Sequence, residues 1–208
     1  MKKRNENTEK QIFDGVGMYG IPEIDPIIVN EKCDFIGFNY ASGCKDRENK
    51  GVHFFIDDYQ FERLWRNIDR YVEMLTQFKY VCSPDFSVYT DFPKALQIYN
   101  HYRKHWIATY LQGFGCNVIP TIAWSDKESF DWCFDGEPIG GTVAVSSVGT
   151  QRNEECKQKF LEGFETMCER LQPANIIFFG RVPSECTGNI IKMPAFVERL
   201  RKVDCNGR

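Results

Sequence analysis

Nine cysteines occur in the 208 residues, yet no two are spaced as CxxC. A zinc ribbon, a cluster-binding motif or a redox dithiol therefore has no framework here. An odd count without such spacing favours reduced thiols, and Cys82 and Cys116 lie in or beside apolar segments where a free thiol packs as a small hydrophobe. Long apolar runs are missing too. The longest are strand-sized, well short of the ~20 residues that cross a bilayer as a helix. The opening MKKRNENTEK has the charge of a signal n-region, but QIFDGVGMYG follows with Asp14 and glycines where an apolar core would have to stand. A cytoplasmic protein with no membrane partner is expected. Excess charge of one sign is also lacking: 26 Lys and Arg against 29 Asp and Glu give a net charge of -3, so the chain has no broad electrostatic reason to coat nucleic acid. There is no GxxxxGK[ST] loop, no GxGxxG opening the first helix and no GxSxG elbow, which argues down nucleoside-triphosphate, dinucleotide and serine-hydrolase chemistry of the familiar kinds.

What is present is core material: 42% hydrophobic and 14% aromatic residues with a mean hydropathy of -0.43. Length and composition together indicate one globular domain. Residues 1–30, interrupted by Pro22 and Pro26, read as an N-terminal arm that docks late on a single α/β domain spanning 31–208. Strand-like segments run from Asp34 to Ala41, Gly51 to Asp57, Tyr80 to Ser83, Asn117 to Trp124, Thr142 to Gly149 and Asn175 to Gly180.

Between these strands lie helical patterns. Phe61, Leu64, Trp65, Ile68, Val72 and Leu75 recur at helical spacing and predict one amphipathic helix from Asp58 to Phe78. A long helix is expected from near Pro93 to Gly113, with Ala95, Ile98, Tyr99, Tyr102, Trp106 and Tyr110 inward. A shorter one follows Ser125 or Asp126, another spans Asn153 to Leu171, and a last one covers about Pro194 to Val203. Strands alternating with helices imply repeated βα units and a mainly parallel sheet. The favoured arrangement is a partial TIM-barrel-like one, with an open doubly wound Rossmann-like sheet as the alternative.

In either arrangement ligands meet the carboxyl ends of the strands. The residues just past those ends are Asn39 and Ser42; Asp57; Ser83, Asp85 and Ser87; Trp124, Ser125 and Asp126; Ser146 and Ser147; and Arg181. Carboxylates, hydroxyls, an indole and a guanidinium can orient a small polar or nucleotide-like ligand. Asp57, Asp85, Ser87, Trp124, Ser125, Asp126, Ser146 and Arg181 are the candidate ligand-binding set. The same residue types are the usual caps and turn formers of strand-to-helix junctions, so each also has a structural reading.

Asp57, Asp85 and Asp126 follow three successive strands and are oxygen donors of the kind hard cations prefer. Sequence spacing fixes no distance between them, and no metal site is assigned. His101 and His105 share a helix face, but no Glu follows His101 as a zinc protease requires, so a solvated basic face is the expectation there. In the loop SPDFSVYTDF the aromatics Phe86, Tyr89 and Phe92 must either plug the sheet end or line a pocket.

The segments VHFFIDDYQFERLW, CSPDFSVYTDFPKALQIYNHYRKHWIATYLQ and VIPTIAWSDKESFDWCFDG resemble an uncharacterised domain family of bacterial, phage and mobile-element proteins. The resemblance covers about Asp34 to Gly180. It implies a phage or mobile-element context and brings no activity or catalytic residue with it. Three functions stay open: a protein binding a small polar or nucleotide-like ligand at the strand ends; a metal-assisted hydrolase using Asp57, Asp85 and Asp126; and a nucleic-acid-associated or interaction protein using Arg63, Arg66, Arg70, Arg103 and Lys104.

Overall fold

The computed structural model describes residues 7–194. Two short strands, β1 (Gly15–Val16) and β2 (Ile21–Pro22), pair as an antiparallel hairpin. Next come β3 (Asp34–Gly37), β4 (Lys50–His53), β5 (Tyr80–Cys82) and β6 (Val118–Ile119), hydrogen-bonded in that order and all parallel. A second parallel set follows, again in sequence order: β7 (Thr142–Ser146), β8 (Asn175–Phe179) and β9 (Ile190–Met193). A parallel bridge between Thr121 and Ala144 joins the sets. Ile122 N donates there to Ala144 O at 2.9 Å and Ala144 N to Pro120 O at 2.8 Å.

Neighbours in space are thus neighbours in sequence from β3 to β9. A doubly wound sheet needs a point where strand order reverses, whereas crossovers that all step the same way curl the sheet toward a barrel. The curl is visible in side chains. Phe35 of β3 meets Phe179 of β8 edge-on, with ring centroids 5.6 Å apart, although four strands stand between β3 and β8 in the order. The chain is therefore an α/β protein of repeated βα units in a partial-barrel arrangement. Pairing register carries Phe35 and Gly51, then Ala144, Ile177 and Ile191, along the same concave face.

The short helix α1 (Phe38–Ala41) follows β3, where the strand had been expected to run on to Ala41. The expected helix from Asp58 to Phe78 is broken into a 3-10 turn at Asp58–Gln60, α2 (Glu62–Arg66) and α3 (Asp69–Leu75). Its apolar stripe is still buried, so periodicity located the face and missed the interruption. The break falls at Asn67, where φ -155° and ψ 68° leave the helical region. Beside it the Asp69 carboxylate is held by Lys10 and by the Tyr110 hydroxyl, which fixes the start of α3 independently of α2.

The long helix α4 (Lys94–Gly113) lies where expected, but its inward face is different. Gln97, Asn100, His101, Arg103, Lys104 and His105 are buried with Trp106, Ile107 and Leu111, while Tyr99 is 37% exposed. The reason is that α4 is covered on two sides, by the sheet and by the β1–β2 hairpin with the 132–137 turn. Trp106 Nε1 donates to Gln11 O at 2.9 Å, and His105 Nδ1 lies 2.8 Å from Pro22 O. The basic stretch at 101–105 is consequently not a solvated face.

The helix α5 (Glu154–Leu171) matches its expectation, starting at Asn153, whose side chain accepts from Cys156 N at 2.8 Å, and burying Phe160, Phe164, Met167 and Leu171. After β6 the expected short helix is only a 3-10 segment, Lys127–Asp131. Strand β9 and the hairpin carried no strong alternation and were not foreseen. The expected last helix lies outside the described residues beyond Pro194.

The segment from Ile21 to Val29 crosses the amino ends of β7 and β8. Thr142 N donates to Ile27 O at 2.7 Å, Val29 N to Thr142 Oγ1 at 2.9 Å, and Asn175 Nδ2 to Val29 O at 3.1 Å. The amino ends of β7 and β8 are thereby covered, and the carboxyl ends of the strands form the opposite end. Among the described residues no helix is long and apolar enough to cross a membrane, and the eight described cysteines are free thiols.

Candidate functional site

Side chains following β4 and β5 meet at the carboxyl end of the sheet. Ser87 donates through its backbone N at 3.0 Å and its hydroxyl at 2.9 Å to the carboxylate of Asp58. Asp58, rather than its neighbour Asp57, is therefore the acid that joins the SPDFS loop. Asp57 is exposed, at 3.5 Å from Gln60 Nε2.

The loop is held from below by α4. Asn100 Nδ2 donates to Ser87 O at 2.6 Å, and Gln97 Nε2 to Tyr89 O and Phe92 O at 3.0 and 2.8 Å. Phe86 is buried under the Arg103 guanidinium, whose carbon lies 3.7 Å from the ring centre, and Arg103 is itself held by both oxygens of Glu62 at 3.0 and 2.9 Å. Phe86 is thus a plug, whereas Tyr89 is 62% exposed.

Asp85 stands between these anchors, partly buried, and no hydrogen bond reaches its carboxyl among the described residues. Burial first, then the Asp58 carboxylate, raises its pKa from an ordinary 3.8 to about 7, against the opposing pull of Lys104. An aspartate in this state is poised to gain or lose a proton near neutrality. The thiol of Cys82, one turn of the loop earlier, is pushed far above the ordinary thiol range by burial and then by Asp85, and is inert.

The other candidates divide. Trp124 packs outward on α5, 5.4 Å from the Phe160 ring, and a Cβ at Gly163 would sit 2.1 Å from its Nε1. Ser125 is buried with its N–H donating to Ser129 Oγ at 3.1 Å, and Asp126 caps the 3-10 segment by accepting from Glu128 N at 3.1 Å. Asp126 also borders a recess of about 360 Å³ shared with Lys127, Glu128, Lys159 and Glu162, facing α5. Ser146 accepts from Val148 N at 3.2 Å, while Ser147 donates to the Arg181 carbonyl at 2.7 Å and leaves that guanidinium exposed. All follow carboxyl ends of parallel strands. Asp85 and Ser87 share one cluster with Asp58, and Trp124, Ser125 and Asp126 form another toward α5. An open groove of about 650 Å³ lined by Ser42, Cys44, Arg47 and Gln77 lies instead at the amino ends of β4 and β5.

A second polar cluster was not foreseen in sequence. Lys104 Nζ donates to Thr121 O at 3.0 Å and pairs with Glu137 Oε1, which is also 3.0 Å from His105 Nε2. The His101 ring lies tilted against that of His105, with centroids 4.4 Å apart, and its Nε2 lies 3.0 Å from Asp135 O. Only the i, i+4 spacing of the histidines hinted at it; Glu137 comes from a distant turn.

A family profile described as Domain of unknown function (DUF4417) matches residues 13–197. The chain belongs to this family. Relatives of it include the Gene 1 protein of Mycobacterium phage L5, 34% identical over 211 residues, covering 96% of this chain and 89% of the relative. The Gene 1 protein of Mycobacterium phage D29 is 32% identical over 203 residues, covering 93% and 73%. No solved structure matches. The DUF4417 match spans the hairpin, the sheet and both polar clusters, so the geometry described belongs to the family domain rather than to an appendage.

Proposed function

We propose that this phage-related protein binds a small polar, nucleotide-like ligand at the carboxyl ends of its strands, with Asp85 as the group that engages it. The observation that carries this reading is Asp85 itself, a partly buried carboxyl with no donor among the described residues and a pKa raised to about 7. Holding a carboxyl in that state is unfavourable for folding, and such groups cluster where ligands or protons are handled. The loop around it is fixed through Gln97, Asn100 and Arg103 before any ligand arrives, which reduces the ordering that binding requires.

The three-aspartate hydrolase has less support, because Asp57 and Asp126 are engaged with Gln60 and Glu128 N. The basic-face reading loses Arg103 and Lys104 to the interior. Native mass spectrometry of the chain incubated with nucleotide and metabolite pools tests the proposal. A retained ligand is expected on the native chain and not on Asp85→Asn. A bare mass throughout, or equal retention by the variant, would overturn it.

A further inference from the structure

The buried cluster on α4 lies beside the strand-end site and plays no part in the binding just proposed. Its ligand-type atoms, one each from His101, His105 and Glu137, all lie within 4.8 Å of one another, and all three residues are buried. The side chains of His105 and Glu137 are 0% exposed.

Hydrogen bonding fixes how each ring is presented. A carbonyl oxygen can only accept, so His105 Nδ1, 2.8 Å from Pro22 O, must carry a proton, and the neutral ring then offers its lone pair at Nε2. That nitrogen lies 3.0 Å from Glu137 Oε1, so without a metal a proton stands between the two, and a metal ion bound there displaces it. His101 is arranged the same way, its Nε2 donating to Asp135 O at 3.0 Å and leaving Nδ1 as the free lone pair. Histidines that ligate metals are held by this kind of bond from the second ring nitrogen to a backbone carbonyl.

Glu137 completes the set, because its other oxygen, Oε2, is buried with no partner among the described residues. A neutral imidazole and an ionised carboxylate are the forms in which such groups bind a metal.

We infer that His101, His105 and Glu137 form a binding site for a divalent first-row transition metal of the zinc type, which fastens α4 to the 132–137 turn. Two imidazole nitrogens and one carboxylate oxygen suit such ions better than magnesium or calcium, which take oxygen donors. Ligand atoms around zinc sit about 2.0–2.2 Å from the metal, so loading draws the widest pair closer than in the empty cluster. Lys104 stays on Thr121 O and Glu137 Oε1, which leaves Oε2 to the metal.

The test uses the chelator-stripped full chain and Zn²⁺ alone. The sequence holds three histidines, His53, His101 and His105, so ring ¹⁵N spectra are simple and need no variant at the site. One equivalent of Zn²⁺ is expected to shift two ring systems and leave the third, identified as His53 by its loss in His53→Gln, unmoved. The melting temperature rises by a few degrees as ligand linkage requires. His101→Gln and Glu137→Gln are each expected to weaken Zn²⁺ by at least about tenfold. No ring shift with Zn²⁺ or with Co²⁺, shifts at His53 instead, or unchanged affinity in both folded variants would overturn the site. If either variant fails to fold, the wild-type spectrum decides.

Discussion

At the scale of single residues, Asp85 and Glu137 show how burial sets opposite outcomes for the same functional group. Asp85 is raised to about 7 by burial and then by Asp58, so between pH ~4 and ~7 the folded chain holds a proton that the unfolded chain has released. Stability contributed by this group is full below its unfolded pKa and is lost as pH rises to 7, after which the penalty is constant. Asp85→Asn is therefore expected to raise stability at pH 8 by roughly 1–3 kcal/mol and to change it little at pH 4. Urea titrations at the two pH values check this, and an equal effect at both would contradict the assignment. Glu137 behaves inversely, its charge kept by Lys104 and His105. Glu137→Leu strands the buried Lys104 ammonium and is expected to cost about 3–5 kcal/mol, whereas Lys104→Met with Glu137→Leu recovers most of the loss. Glu137 was not legible in sequence, whereas Asp85 stood out as a strand-end acid; its titration did not, because it depends on Asp58 and on Lys104, whose burial no local pattern announces.

At the scale of elements, the sequence was most informative where one face alone meets the core. Helix α5 reads cleanly because its outer face is solvated, and Asn153 caps it as its residue type suggests. Helix α4 misleads because both faces are covered, so polar side chains inside it are paired rather than exposed, and periodicity then picks the wrong stripe. The break at Asn67 was invisible for a different reason, since α2 and α3 continue the same apolar stripe across it. Gly163 of α5 is a local exception that tertiary packing explains. Alanine is ordinarily favoured over glycine in a helix by ~1 kcal/mol, yet a Cβ here would fall 2.1–2.3 Å from the Trp124 indole. Gly163→Ala is expected to destabilise by about 1–3 kcal/mol, and Trp124→Leu in the same chain to recover part of it. Thermal melts of the single and double variants read the coupling, and purely additive effects would show that the indole is not what the glycine accommodates.

At the scale of the whole molecule, the parallel order from β3 to β9 makes a one-sided design: the segment before β3 covers one end and the strand-end loops occupy the other. Alternation of strands and helices was enough to reach the βα architecture, but not to reveal how completely the stretch from Ile21 to Val29 is built into it. Ile21, Ile24 and Val29 are 0%, 3% and 2% exposed, and the backbone there satisfies His105, Thr142 and Asn175. Each such aliphatic side chain contributes roughly 1.5–3 kcal/mol by burial, and the orphaned polar groups add roughly 1–3 kcal/mol each. Together these rival the ~5–15 kcal/mol by which domains of this kind are stable. A chain beginning at residue 31 is accordingly expected to lose its cooperative urea transition and its near-ultraviolet dichroism while keeping much of its far-ultraviolet signal. A sharp transition with the midpoint of the full chain would instead mean that residues 1–30 are an arm resting on a domain complete without them, and that the amino end of the barrel tolerates exposure.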